Sequence, residues 1–345
     1  MRRSWLFAAA AATAVAAAGS LFLPGPPLNR EVFLDIPRGT GSLGAARALA
    51  GAGVIRYQWQ FLALRALHPR ATFQAGEYQF QKPASPRAVF DRLCRGDVFY
   101  RQLTVPEGYT IFDIAEALER LGGISSREFL QAASDASPIR DLAPEARSLE
   151  GFLFPDTYRV SRQTAAADLC LQMTNRFRKA WAELGGSGPV LAAVTMASLI
   201  EKETAVQSER PLVASVFYNR LRIGMPLDCD PTAIYAALLE GRYRGTIYRS
   251  DLDSRHRYNT YQHAGLPPGP IANPGAGALR AALQPAQTRY LYFVARPDNS
   301  GAHTFSETLD QHQRAVARYR RASAKAKQTE TARPVSGADQ ARGRR

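Results

Sequence analysis

From Leu191 to Ile200 the chain reads LAAVTMASLI, apolar at almost every position, and the run closes on Glu201, Lys202 and Glu203. A helix of this composition is buried on nearly all sides. The pattern predicts one over 189–222, with Pro189 at its first position. At 3.6 residues per turn Val190, Val194, Ala197 and Glu201 share a face, whereas Glu203 stacks over Met196, Leu199 and Ile200. Both glutamates therefore continue apolar stripes, and periodicity does not choose between them. A carboxyl at the end of such a stripe loses hydration, which raises its pKa and suits it to general-acid work. The plainer alternative is a structural glutamate at a helix end, capped by Arg210 or Lys202.

Elsewhere the apolar positions mark short strands and amphipathic helices. LDIPRGTGSLGAARAL (34–49) aligns without gaps with LTVPEGYTIFDIAEAL (103–118), and each copy reads as a strand, a Pro-x-Gly turn and a helix. YQWQFLALRAL and SPRAVFDRLCRG read as helices, the second ending at Gly96, and AGEYQF as a strand. After a Ser-capped helix in SSREFLQAAS come helices over 163–184 and 189–222, then PTAIYAALLEG, a long loop, and the strand RYLYFVARP. These elements predict an α+β protein with a mixed α/β second domain that is largely helical at its centre. Expected domains are 1–27 (anchor and spacer), 30–125 (the duplicated region), 150–320 (second domain) and 321–345 (a disordered basic tail), with a boundary near 125–150.

The N-terminal pattern changes the picture. MRRS precedes a charge-free run from Trp5 to Leu23. As one helix this run is about 28 Å long, against a bilayer core of ~30 Å. An uncleaved signal anchor is expected, single-pass in the inner membrane, with Arg2 and Arg3 cytoplasmic and the remainder periplasmic. A cleaved signal peptide is the alternative.

The formal charge of +14 is less informative than its distribution, because eight Lys/Arg against two acids fall between Arg320 and Arg345. The rest is mildly basic, and no RNP, helix-turn-helix or zinc-finger pattern supports nucleic-acid binding. Cys94, Cys170 and Cys229 are far apart and form no C-x-x-C, and the five histidines form no H-E-x-x-H, so no metal is expected. The cysteines read as small core hydrophobes. G-x-S-x-G, S-x-x-K and P-loop patterns are absent. What remains is carboxylate chemistry beside a rigid polar loop, YNTY (258–261) followed by GLPPGPIANPG (265–275), whose amide, hydroxyl and aromatic groups suit sugars.

TVPEGYTIFDIAEAL, LEGFLFPDTY, ASLIEKETAVQSERPLVASVFYNRLRIGMPL, DPTAIY, YNTYQHAGLPPGPIANPG, YLYFVA and HTFSETLDQHQRAV occur in this order. Together they resemble the YceG-like endolytic murein transglycosylase family over roughly residues 30–320. The resemblance implies a membrane-anchored, LysM-like glycan-binding region and a catalytic domain that cleaves nascent peptidoglycan between MurNAc and GlcNAc. The implied product carries a 1,6-anhydro-MurNAc end. It further implies no cofactor, peptidoglycan strands as substrate, the inner membrane and peptidoglycan synthases as partners, and Glu201 as the catalytic residue. Asn259, Thr260, Tyr261, Leu266, Pro267, Asp230 and Thr232 are the implied cleft positions, and Glu203, beside Glu201, is expected as a further substrate-binding residue. Asp228 departs from the family's usual Gln, which places subsite preference in question. Two rival readings stand beside this one. A hydrolytic muramidase would need a second carboxylate such as Asp228, Asp230 or Glu307. A non-catalytic glycan-binding scaffold would need only the repeat and the basic tail.

Overall fold

The computed structural model describes residues 2–298 and 300–331. The chain forms two compact units, one comprising residues 1–102 and 159–163 and the other 103–158 and 164–345.

The first unit contains α1 (Arg2–Ser20), β1 (Val32–Ile36), α2 (Ser42–Gly51), α3 (Gln58–Leu67), β2 (Gly76–Phe80) and α4 (Pro86–Arg95). β1 and β2 pair antiparallel, with Val32 opposite Phe80 and Ile36 opposite Gly76. Ile36, Leu49, Phe61, Tyr78, Phe90 and Leu93 are fully buried and form its core. Ser85 caps α4 through the Ala88 N–H, and Gly96 ends it in the left-handed conformation.

The N-terminal run does not form one helix. α1 stops at Ser20, Leu21 is buried in the core of the first unit, and its carbonyl accepts the Arg87 N–H at 3.0 Å. The charge-free part of α1 is thus about 24 Å long, short of the ~30 Å bilayer core. Among the described residues no helix is long and apolar enough to cross a membrane.

Two strands, β3 (Arg101–Thr104) and β4 (Thr157–Val160), pair with each other, and the division between the units passes through both. The second unit continues with α5 (Ile111–Leu121), α6 (Ser126–Ala133), α7 (Ala166–Glu183), α8 (Val190–Glu203), α9 (Arg210–Arg222), α10 (Asp230–Leu239), α11 (Arg249–Leu252) and α12 (Ala276–Leu283). An antiparallel pair, β5 (Tyr292–Ala295) and β6 (His303–Ser306), precedes α13 (Leu309–Thr331). α8 is the central element; Val194 to Ile200 are all buried, and α12 and α9 pack against it.

Three expectations are corrected here. The helix predicted over 189–222 is two helices: Thr204 is extended, and α9 begins at Arg210 with Pro211 in its first turn. A proline deeper in a continuous helix would remove a backbone hydrogen bond and clash with the preceding turn, so the chain breaks before it. The boundary lies at 102/103 rather than near 125–150. Within the two aligned stretches α2 and α5 start at equivalent positions, and Ala46, Leu49, Ala115 and Leu118 are all buried. The second stretch, however, belongs to the second unit. Finally, α13 continues to Thr331, past the point where a disordered tail was expected; residues 332–345 lie outside the described residues.

Candidate active site

The end of α8 carries both glutamates, and the two have different surroundings. The Glu201 side chain is 5% exposed, and both its oxygens are engaged. Oε1 accepts from Arg210 Nη2 at 2.6 Å, and Oε2 accepts the Gly275 N–H, at the cap of α12, at 2.9 Å. Arg210 Nη2 also reaches Glu107 Oε2 at 3.1 Å. Glu107 belongs to the Pro-x-Gly turn of the second repeat copy, and the neighbouring Gly108 carbonyl accepts from Lys202 Nζ at 3.3 Å. Glycines make room for this cluster. A Cβ on Gly277 would fall 2.3 Å from Arg210 Nη1, and one on Gly275 would fall 1.8 Å from Glu107 Oε1. Burial raises the Glu201 pKa, opposed by the Gly275 N–H and by Arg210.

Glu203 is partly buried and lines a cavity of about 380 Å³ together with Arg220, Asp228, Asp230, Tyr261 and His312, over an apolar floor that includes Phe217 and Phe293. Burial pushes its pKa up, and the Asp230 charge adds to this. The neighbouring Cys229, His303 and Arg220 pull the other way. Tyr261 donates its hydroxyl to Asp230 Oδ1 at 2.6 Å. Arg220 is fixed by the carbonyls of Leu291 (2.7 Å) and Leu227 (2.9 Å), with Asp228 Oδ2 3.5 Å away. The His312 ring stacks on Tyr292 with centroids 5.1 Å apart.

Of the positions named from the sequence, the structure therefore brings Glu203, Asp230, Tyr261 and Asp228 together at one cavity. Glu201 does not line it, because Arg210 and Gly275 occupy its carboxylate; the cap by Arg210 is what the structure contains. Asn259 is fully buried and serves its own loop, donating to the carbonyls of Leu252 and Ser254 at 2.9 and 2.7 Å. Thr232 and Thr260 are equally buried and hydrogen-bond each other and Cys229. Leu266 and Pro267 do not line the cavity; they lie in the loop whose Ile271 N–H binds Ser198 Oγ on α8 at 3.0 Å. Glu307 is exposed and also absent from the lining. Sequence reasoning did not single out Arg220, Tyr292 and His312, although they lie within YNRL, YLYFVA and HTFSETLDQHQRAV. The signal was there as motif membership, without a periodicity to give each residue a role. Among the described residues no cluster of His, Cys, Asp or Glu is spaced to hold a metal ion.

Comparison with known proteins follows the same residues. The YceG-like family profile matches residues 34–318. An endolytic murein transglycosylase of Bacillus subtilis (strain 168) is 34% identical over 309 residues, covering 84% of each chain. An endolytic murein transglycosylase of Streptococcus pneumoniae (strain D39) is 28% identical over 325 residues, covering 84% of this chain but 59% of its own length. A crystal structure of a yceG-like protein from Listeria monocytogenes superposes with a TM-score of 0.53 at 30% identity, over 83% of this chain and 99% of that one. The chain belongs to the YceG-like family.

Proposed function

We propose that this chain is an endolytic murein transglycosylase that cleaves peptidoglycan glycan strands between MurNAc and GlcNAc, and that Glu203 is its acid. The observation that carries the reading is the contrast at the end of α8. Glu203 lines an open cavity among polar and aromatic groups, whereas Glu201 is enclosed by Arg210 and Gly275. Burial raises the pKa of both carboxyls, so a place in the cavity lining rather than acidity separates them.

Protonated Glu203 donates to the glycosidic oxygen as the bond to C1 of MurNAc breaks, leaving an oxocarbenium-like centre. The carboxylate so formed takes the proton from the same sugar's 6-hydroxyl as that oxygen attacks C1. The proton returns to Glu203, no water is consumed, and the product is a 1,6-anhydro sugar. Because the nucleophile is part of the substrate, it acts at a high effective concentration, and one carboxyl suffices. Arg220 and His312 supply donors for sugar hydroxyls and the acetamido group, the Tyr261 oxygen and Asp230 supply acceptors, and Tyr292 and Phe293 supply faces against which a sugar ring packs.

A hydrolytic reading keeps one specific support: Asp228 and Asp230 line the same cavity as Glu203 and could activate water. Product mass separates the two, since the anhydro product is lighter by one water. We further propose an inner-membrane location, with the folded units periplasmic and peptidoglycan synthases nearby. The support is Arg2 and Arg3 ahead of the apolar run. Glycan binding by the first unit is proposed on the resemblance of the repeat to LysM-like modules. Turnover of purified glycan strands decides the central claim. Glu203→Gln should lose at least ~10²–10⁴-fold, the usual contribution of a general acid–base. Near-normal turnover in Glu203→Gln beside an inactive, folded Glu201→Gln would return the role to Glu201.

A further inference from the structure

The chain leaving α1 does not form a free spacer. Gln60 Nε2 donates to the Ser20 carbonyl and hydroxyl at 3.3 Å, the Arg87 N–H donates to the Leu21 carbonyl at 3.0 Å, and the Gly25 N–H donates to the Ala84 carbonyl at 2.9 Å. A Cβ on Gly25 would fall 2.7 Å from the Val54 carbonyl oxygen, so this segment lies directly on the fold. Between buried Leu21 and that contact, Phe22 and Leu23 are 66% and 65% exposed. Leu23 shares a recess of about 230 Å³ with Ser20, Arg56, Tyr57, Gln60 and Pro86. Tyr57 and Trp59, at the start of α3, are exposed as well. Two apolar side chains, two aromatics with polar tips and an arginine thus cluster near the point where α1 meets the fold.

Charge is distributed to match. Arg2 and Arg3 apart, the first unit carries 13 Lys/Arg against 5 Asp/Glu, whereas residues 103–158 and 164–319 carry 21 against 23. We infer that the first unit docks on the surface of an anionic phospholipid bilayer through Phe22, Leu23, Arg56, Tyr57 and Trp59. This rests on the proposed membrane location and goes beyond an anchor, because a unit on a flexible spacer would stand clear of the headgroups. The charge-free part of α1 is about 24 Å long against a bilayer core of ~30 Å. A helix this short, joined without slack, draws its fold into the headgroup layer of any bilayer that takes it in. Tyrosine and tryptophan favour that layer, with the apolar ring toward the acyl chains and the polar tip toward water. Exposed Phe22 and Leu23 bury apolar area there. Each Lys or Arg close to an anionic leaflet strengthens binding about fivefold.

The test uses the full-length protein carrying Trp5→Phe, so that Trp59 and the buried Trp181 are its remaining tryptophans. Trp59→Phe in the same background gives the Trp181 signal to subtract. Vesicles are made of phosphatidylcholine alone or of an equimolar mixture with phosphatidylglycerol, each with acyl chains brominated just below the headgroups. The protein should float with the mixed vesicles, and the bromolipid should quench Trp59. Quenching should be weaker on phosphatidylcholine alone. On the mixed vesicles Arg56→Glu should lower the docking equilibrium at least about fivefold. Flotation with Trp59 unquenched overturns this proposal and leaves the membrane location standing. Absence of flotation overturns both together. Equal quenching on neutral and mixed vesicles overturns the choice of an anionic surface. A Trp59 emission shift with soluble glycan strands, beside no quenching on vesicles, gives the surface to sugar and overturns the proposal.

Discussion

At the scale of single residues, Glu201 and Glu203 differ by their partners, and this separates stability from chemistry. Glu201 and Arg210 form a pair whose side chains are 5% and 6% exposed. Removing one member of such a pair strands the other in a poorly solvated site, which costs on the order of 3–5 kcal/mol. Glu201→Gln should therefore lower the denaturant midpoint markedly, and adding Arg210→Met should recover part of the loss. Glu203→Gln should leave the midpoint near the original value while abolishing turnover. Equilibrium unfolding of the three variants, read beside their rates, tests both halves. The distinction was not legible in the sequence. Both glutamates extend apolar stripes, and what divides them is a guanidinium nine residues later and a backbone N–H supplied by Gly275. Within EKE the family resemblance points to Glu201, the glutamate that this structure encloses.

At the scale of elements, most of the helices and strands were readable, because their caps are local. Ser85, Ser125 and Gly96 sit where propensity places them. The continuous helix over 189–222 was misread because the apolar pattern persists through Val206, and only Pro211 signals a new start. α12 carries a further consequence. A glycine inside a helix ordinarily gains about 1 kcal/mol on replacement by alanine. At Gly277 the added methyl would meet Arg210 Nη1 at 2.3 Å, and that guanidinium is held between Glu201 and Glu107. Gly277→Ala should instead destabilise by about 1–3 kcal/mol, the usual range for overpacking. In an Arg210→Met background the same substitution should cost much less, which thermal melts of the two pairs would reveal.

At the scale of the whole molecule, the second unit is joined through one buried carboxyl. Glu150 accepts from the Ile111 N–H at the start of α5 (3.1 Å), from the Tyr235 hydroxyl on α10 (3.0 Å) and from Asn273 Nδ2 ahead of α12 (3.0 Å). Burial raises its pKa from the ordinary 4.5 to about 8, against the pull of these donors. The native protein thus holds this proton up to about pH 8, whereas the unfolded chain releases it near 4.5. Its contribution to stability is full below pH 4.5 and declines as pH rises through that window, levelling off above 8. Glu150→Gln should remove this slope from the unfolding free energy measured across pH 5–8, at a cost in absolute stability from one mismatched donor. LEGFLFPDTY was recognisable as a motif, but this role was not, since its partners lie 39 residues back and 85 and 123 residues ahead. The boundary between the units was misplaced for a related reason. Two similar strand–helix copies read as one module, and only their three-dimensional neighbours assign them to different units.

The short return of residues 159–163 to the first unit has a consequence for how the protein is made. Arg162 lies over the Phe33 ring at 4.4 Å and faces Glu77 at 3.6 Å, so the first unit includes a piece of chain synthesised after residues 103–158. At ~5–20 residues per second, the ribosome spends on the order of 3–12 s between Leu103 and Gln163. During that interval the sequence of the first unit is complete except for its last segment, residues 159–163, which includes the end of β4. Completion of the N-terminal unit therefore waits on its C-terminal neighbour, and the order of folding departs from the order of translation.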